Sequence, residues 1–329
     1  MRRLTIPALT LLAAASLAAC GGSDNSASTP VPEVTSQAAQ VAQFPKPQGR
    51  PISELLQSMP RGLVLAPSVS VVHPGTNRYG FAIFDTARKQ INAAPVALYV
   101  SRPDGSGVRG PFLARSESLA VKPAFQSVTT SSDPDAAKMV YVADLRFPRP
   151  GRYRVSGVAR LDGRSVALDP FTADVIAGSG GVPRVGEKAP KVHTPTLASV
   201  GGDATRIETR SPVAKDLLTT DLADVYGKKP VALLFATPAL CQSRVCGPVV
   251  DVMAQVQAKL GSDKVAFIHN EIYRDNQVNK GLRSQPAAYG LPTEPWLFVL
   301  DRNGRVSSAI EGAFSAAELE RAVAKVSGG

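Results

Sequence analysis

Between residues 60 and 176 the apolar positions come in short runs separated by Pro, Gly and Asp. Val69-Ser70-Val71-Val72, Tyr79-Gly80-Phe81-Ala82-Ile83-Phe84, Val96-Ala97-Leu98-Tyr99-Val100 and Met139-Val140-Tyr141-Val142-Ala143 all have strand length. Arg152-Tyr153-Arg154-Val155-Ser156 alternates polar with apolar residues, as a strand with one solvated face must. Runs at this spacing predict about seven strands and an all-β sandwich. From about residue 213 the period changes. Thr220 or Asp221 can cap a short helix that stops at Gly227, and Val231-Ala232-Leu233-Leu234-Phe235 reads as a strand buried on both faces. A helix is expected over about 247–260, then strands at 265–268 and 296–300. Asn303-Gly304 turns the chain into a strand over 306–310, and a last helix starts after Ser315 with Glu318 as its capping-box partner. The order is βαβ followed by ββα.

The N-terminus belongs to neither pattern. Arg2 and Arg3 precede an apolar stretch over 4–19 that is short for a bilayer span and reads as a secretory signal. It ends Leu17-Ala18-Ala19-Cys20-Gly21-Gly22, which resembles the lipobox of bacterial lipoproteins. The resemblance implies cleavage of residues 1–19 and lipidation of Cys20. The chain would then be held on the extracytoplasmic face of a cell membrane without crossing it. Residues 20–50 are rich in Ser, Pro, Gln, Ala and Thr and form the expected flexible tether. The β-sandwich domain follows over 51–177, a Gly- and Ser-containing linker over 178–184, and an α/β domain over 185–329.

Composition narrows the function. With 44% apolar residues the chain can build cores. Its 37 Lys and Arg exceed 27 Asp and Glu, and the excess sits mainly in residues 46–184, with 18 basic against 10 acidic. These charges are scattered over strands and turns without stacking aromatics, which suits anionic lipid or cell-wall polymer and not nucleic acid. No Walker loop, dinucleotide fingerprint or zinc-protease motif occurs, so no cofactor or metal-ligand set is expected. Of three cysteines, Cys241 and Cys246 remain once Cys20 is lipidated, and an exported compartment permits a disulfide.

Several motifs then occur in a telling order. Gly186-Glu187-Lys188-Ala189-Pro190 opens the last segment, Cys246-Gly247-Pro248 follows a buried strand, and Tyr289-Gly290-Leu291 precedes Pro295. Together with Leu300-Asp301-Arg302-Asn303-Gly304-Arg305-Val306 they resemble the thioredoxin-like superfamily over about 185–326. Phe147-Pro148-Arg149-Pro150-Gly151-Arg152-Tyr153 resembles the penultimate turn and strand of immunoglobulin-like envelope domains. The first resemblance implies a thioredoxin-like C-terminal fold, Pro295 as a cis-proline facing the active-site sulfurs, and Glu294 as the residue that offers its backbone to substrate. It departs from the family in having C-x4-C in place of C-x-x-C, with Leu234 where many relatives carry a buried acid.

Thiol–disulfide oxidoreduction on envelope proteins through Cys241 and Cys246 is the expected activity. Cys246 stands at a helix N-terminus, where peptide dipoles favour a thiolate, and Arg244 lies close by. Counting from the preceding strand instead places Cys241 first, so the roles of the two sulfurs stay open. A structural staple is one alternative. A Cu(I) chaperone using both thiols is another, although Gln285 to Glu294 holds no histidine. Pro238, Ser243 and Cys246 approximate a peroxidase loop that is one residue too long. His269 reads as structural, and His73 and His193 have no expected role. Trp296 reads as a core strand residue, with an apolar wall beside the sulfurs as the alternative.

Overall fold

The computed structural model describes residues 38–328; the expected signal segment and Cys20, the expected lipidation site, lie outside the described residues. A short helix α1 (Ile52–Leu56) precedes seven strands: β1 (Leu63–Pro67), β2 (Gly75–Asp85), β3 (Val96–Ser101), β4 (Arg109–Ser118), β5 (Met139–Phe147), β6 (Gly151–Leu161) and β7 (Arg164–Val175). Helix α2 (Val128–Ser132) lies in the β4–β5 connection. Alternate residues of β2, namely Tyr79, Phe81 and Ile83, point into one core with Leu98, Tyr141, Leu145 and Phe147.

The two faces expected of a sandwich are joined. All seven strands hydrogen-bond in one closed circuit, β1-β2-β5-β4-β3-β6-β7. The β3–β4 hairpin closes one side and a short parallel pairing of β1 with β7 closes the other. The run at 69–72 is not a strand: only Val72 bridges to Val175, while Ser70 and Val71 turn their amides to Glu311 of the C-terminal half. At the β5–β6 corner the Tyr153 hydroxyl donates to the Arg149 carbonyl, 3.1 Å away.

The C-terminal half follows the order read from the sequence. Helix α3 (Leu222–Val225), with Asp221 as its cap, precedes β8 (Val231–Phe235), α4 (Cys246–Leu260) and β9 (Ala266–Asn270). Helix α5 (Ser284–Ala288), β10 (Trp296–Leu300), β11 (Val306–Glu311) and α6 (Ala316–Ser327) complete it. The sheet order is β11-β10-β8-β9, with β8 and β9 parallel and the other pairs antiparallel. Every residue of β8 and β10 is buried, which explains their unbroken apolar runs. Ser315 Oγ accepts from the Glu318 amide at 3.1 Å, so the capping box forms as expected.

The halves share a core. Leu119, Val121, Val140 and Val142 of the barrel belong to one apolar cluster with Val249, Met253 and Phe314. Around it, Arg78 of β2 grips Glu318 of α6 through Nε at 2.9 Å and Nη2 at 2.7 Å, and Ser315 Oγ donates to Glu117 at 2.6 Å. The expected linker also takes part. Val182 is buried, and the bare Cα of Gly290 lets the Gly181 carbonyl approach to 2.5 Å from where a Cβ would stand.

Candidate functional site

The connection from β8 to α4 carries both cysteines. Cys241 and Cys246 form a disulfide across it, with Cα atoms 6.0 Å apart. Residues 242–244 between them are exposed. Cys246 is the first residue of α4 and is completely buried in the shared core, whereas Cys241 is partly exposed with Ser243 Oγ 3.2 Å from its sulfur. Pro248 sits in the first turn of α4, where its missing N–H costs no helical bond. Cys246 thus begins a helix, as expected from the sequence, and Cys241 is the more exposed of the two sulfurs.

The barrel braces this helix start. A Cβ on Gly247 would stand 3.0 Å from Thr130 Oγ1, so glycine lets α2 lie close against α4. One turn on, buried Asp251 accepts from the Ser127 amide and hydroxyl at 3.0 and 3.1 Å and from Arg210 Nε at 2.8 Å. Arg210 Nη2 donates in turn to the Phe125 carbonyl at 2.6 Å. The expected support of a thiolate by Arg244 is corrected: its guanidinium is paired with Asp133 and Asp135 of the β4–β5 connection, which offset its charge. No sequence pattern announced Arg210 and Asp251, which lie 41 residues apart and meet only in the fold.

A cleft of about 960 Å³ opens between barrel and C-terminal half, bordered by Gln242, Arg244 and Val245 of the cysteine loop and by Thr293 and Glu294. The Glu294–Pro295 bond is cis, as the resemblance implied. Burial pushes the Glu294 carboxyl up, partly offset by a hydrogen bond from the Tyr273 hydroxyl. Thr293 Oγ1 donates to Glu311 at 2.6 Å, the same carboxylate that takes the Ser70 hydroxyl at 2.6 Å, so one side chain ties the cis-proline segment to the barrel. Trp296 is a core residue: its ring stacks on Phe298 and its Nε1 donates to Thr293.

A second cluster lies at the ends of β8 and β9. Glu208, His269 and Glu271 are all buried and bring one ligand-type atom each within 4.8 Å of the others. Burial opposes a charged His269, but the charge and hydrogen bond of Glu208 outweigh it and raise the imidazole to about 8. Burial likewise opposes ionised Glu208, yet His269 holds it below the ordinary carboxylate range, while burial pushes Glu271 up. Among the described residues no other group of three such side chains occurs, so no His, Asp or Glu joins the two sulfurs as a third copper ligand. His193 is exposed against Asp221, and His73 lies near the Ile176 carbonyl.

No family model matches the sequence, and no curated protein matches it. Solved structures do. The chain is similar to a protein described as thiol:disulfide interchange protein DsbE from Chlorobium tepidum, at 20% identity over 44% of this chain and 99% of that one, with a TM-score of 0.31. A thiol:disulfide interchange protein of the thioredoxin family from Chlorobium tepidum TLS matches at 19% identity over 44% and 98%, with a TM-score of 0.31. A thioredoxin-like superfamily protein matches at 19% identity over 43% and 97%, with a TM-score of 0.29.

Proposed function

We propose that this protein is a lipid-anchored, extracytoplasmic thiol–disulfide oxidoreductase in which a thioredoxin-like domain is braced by an immunoglobulin-like β-barrel. The observation that carries the activity is the Cys241–Cys246 disulfide at the start of α4, with Cys241 the more exposed sulfur and the next residue, Gln242, bordering the same cleft as Glu294. The immunoglobulin-like reading is supported by the strand order, since β1-β2-β5-β4 and β3-β6-β7 reproduce the two sheets of that topology. The Tyr153 hydroxyl at the β5–β6 corner matches its tyrosine corner. The anchor rests on the lipobox ending at Cys20, and replacing Cys20 by Ser should release the protein from membranes.

The exchange follows from exposure. A substrate thiolate attacks the Cys241 sulfur; the S–S bond breaks and Cys246 leaves as a thiolate stabilised by the α4 amides. A second substrate thiolate then attacks the substrate sulfur of the mixed disulfide and expels the Cys241 thiolate. Two electrons pass to the protein and the substrate gains a disulfide. Run backwards, Cys241 attacks a substrate disulfide and Cys246 resolves the mixed species. The cleft beside Glu294 and Arg244 would hold an extended protein segment, with the backbone before Pro295 pairing to it.

Redox equilibration against glutathione, read by alkylation, tests the proposal. A midpoint above about −300 mV is expected, and one far below it would mark an inert structural bridge. Cys246→Ser should accumulate a mixed disulfide on Cys241, and Cys241→Ser should not accumulate one on Cys246.

A further inference from the structure

We propose that Glu208, His269 and Glu271 form a buried site for one divalent first-row transition ion, separate from the two cysteines. Their geometry is that of a ligand set with its outer hydrogen bonds in place. The Ala236 carbonyl lies 3.1 Å from His269 Nε2 and can only accept, so Nε2 carries the proton. Nδ1 carries a second proton toward Glu208, 2.9 Å away, and a bound ion would take the place of that proton. A ligating imidazole is oriented by this kind of backbone contact. Glu271 Oε1 is held by the Thr209 amide at 2.9 Å and the Thr209 hydroxyl at 2.6 Å.

The second observation is a set of oxygens with nothing to bind. Glu271 Oε2, Thr237 Oγ1 and Asn270 Oδ1 are buried and complete no hydrogen bond. Thr237, fully buried, directs its hydroxyl toward the Glu271 carboxylate. Buried polar atoms without partners are rare because each forfeits its hydration. A cation on Oε2 would satisfy it, and two carboxylates would balance a divalent charge. One imidazole nitrogen and two carboxylate oxygens suit Zn²⁺, Fe²⁺ or Mn²⁺, with a further position for hydroxyl, amide or water oxygen.

Position agrees with donor chemistry. The cluster lies where parallel β8 and β9 end, the carboxyl edge at which open α/β sheets bind ligands. It also supports the redox loop, because the Thr209 hydroxyl that donates to Glu271 accepts from the Ala239 amide at 3.1 Å, two residues before Cys241.

The test uses the full-length chain in detergent, with Cys241 and Cys246 oxidised so that neither thiol takes up metal. Because the site is buried, the protein is unfolded and refolded with Zn²⁺, passed over chelating resin, and assayed for zinc. About one zinc per chain and a higher thermal midpoint are expected. Glu271→Gln keeps the side-chain shape and should lose the zinc while its metal-free midpoint holds. Co²⁺ in the unmodified chain should give visible d–d bands without sulfur charge transfer. An unmodified chain that retains neither Zn²⁺, Mn²⁺, Fe²⁺ nor Co²⁺ would reduce the cluster to a buried ion pair and overturn the proposal. So would full zinc retention by Glu271→Gln, or a cobalt spectrum showing sulfur ligation.

Discussion

Arg78 is the place to test whether barrel and C-terminal half unfold together. It stands on β2, yet its guanidinium makes two bonds to Glu318 of α6, at 2.9 and 2.7 Å, and a third to the Ala313 carbonyl at 2.8 Å. Arg78→Met keeps the aliphatic stem and removes the charge. Glu318 would retain Arg115 at 3.3 Å, whose side chain is 43% exposed and shared with Glu117 and Asp144, and the Ser315 amide at 3.5 Å. Orphaning one partner of a buried pair costs about 3–5 kcal/mol, and Arg115 should keep the loss near the lower end. With a urea slope of about 3 kcal/mol/M, the midpoint should fall by roughly 1 M. The single tryptophan, Trp296, sits in β10 and reports the C-terminal sheet alone. A barrel substitution that shifts its fluorescence transition therefore demonstrates coupling. An unmoved Trp296 midpoint would refute the shared core, and the same substitution made in Glu318→Gln should cost far less. The effect has a signed pH dependence. Burial pushes the Glu318 carboxyl up, but the bonds and charge of Arg78, with Arg115 and the Ser315 amide, hold it below its ordinary value of 4.5. Its contribution is therefore complete above that value and fades as pH falls through the lower, folded one. The gap between the two proteins should be widest at neutral pH and narrow in acid.

Two further outcomes follow from local geometry. Gly290→Ala forces a side chain into φ +62° and against the Gly181 carbonyl, so the thermal midpoint should drop by the equivalent of about 1–3 kcal/mol; an unchanged midpoint would mean the 178–184 segment is free. Glu294→Thr removes a carboxylate from the cleft wall and should lower the pKa of the reactive thiol, read by alkylation rate against pH. Identical titrations would show that Glu294 faces Tyr273 alone.

What the sequence made legible was what short windows determine. Continuous apolar runs marked β8 and β10, Ser315 and Glu318 marked a helix start, and Pro295 was assigned its cis bond from its neighbours. Pairings set by distant chain were not legible. The run at 69–72 has strand composition, but its amides are taken by Glu311, some 240 residues away, so it bends instead of pairing. Nothing in the alternation of β3 and β4 says that their hairpin will join two sheets into one circuit. Arg244 looked like a free cation beside Cys246 because Asp133 and Asp135 arrive from another module.

Glu318 shows why local reading and global structure part company. In sequence it is a capping-box residue, and its amide does donate to Ser315 Oγ as that pattern requires. A cap needs only a Glu three residues after a Ser, and the same carboxylate is left with lone pairs to spare. The fold uses those lone pairs to receive Arg78 and Arg115 from the barrel. Ser315 is shared in the same way, since its hydroxyl also donates to Glu117 of β4. The start of α6 is thus both a helix terminus and the polar part of the joint between the two halves. Local signals name the residues that have hydrogen-bonding capacity; only the packing of the barrel decides where the remainder of that capacity goes. The same reasoning applies at α4, where Gly247 and Asp251 look like ordinary helix positions until α2 and Arg210 are placed against them. Each of these helix starts is therefore held by residues of the N-terminal half, and that of α6 by its own cap as well. In the proposed exchange reaction this would fix Cys246 while leaving the exposed loop around Cys241 to meet the substrate.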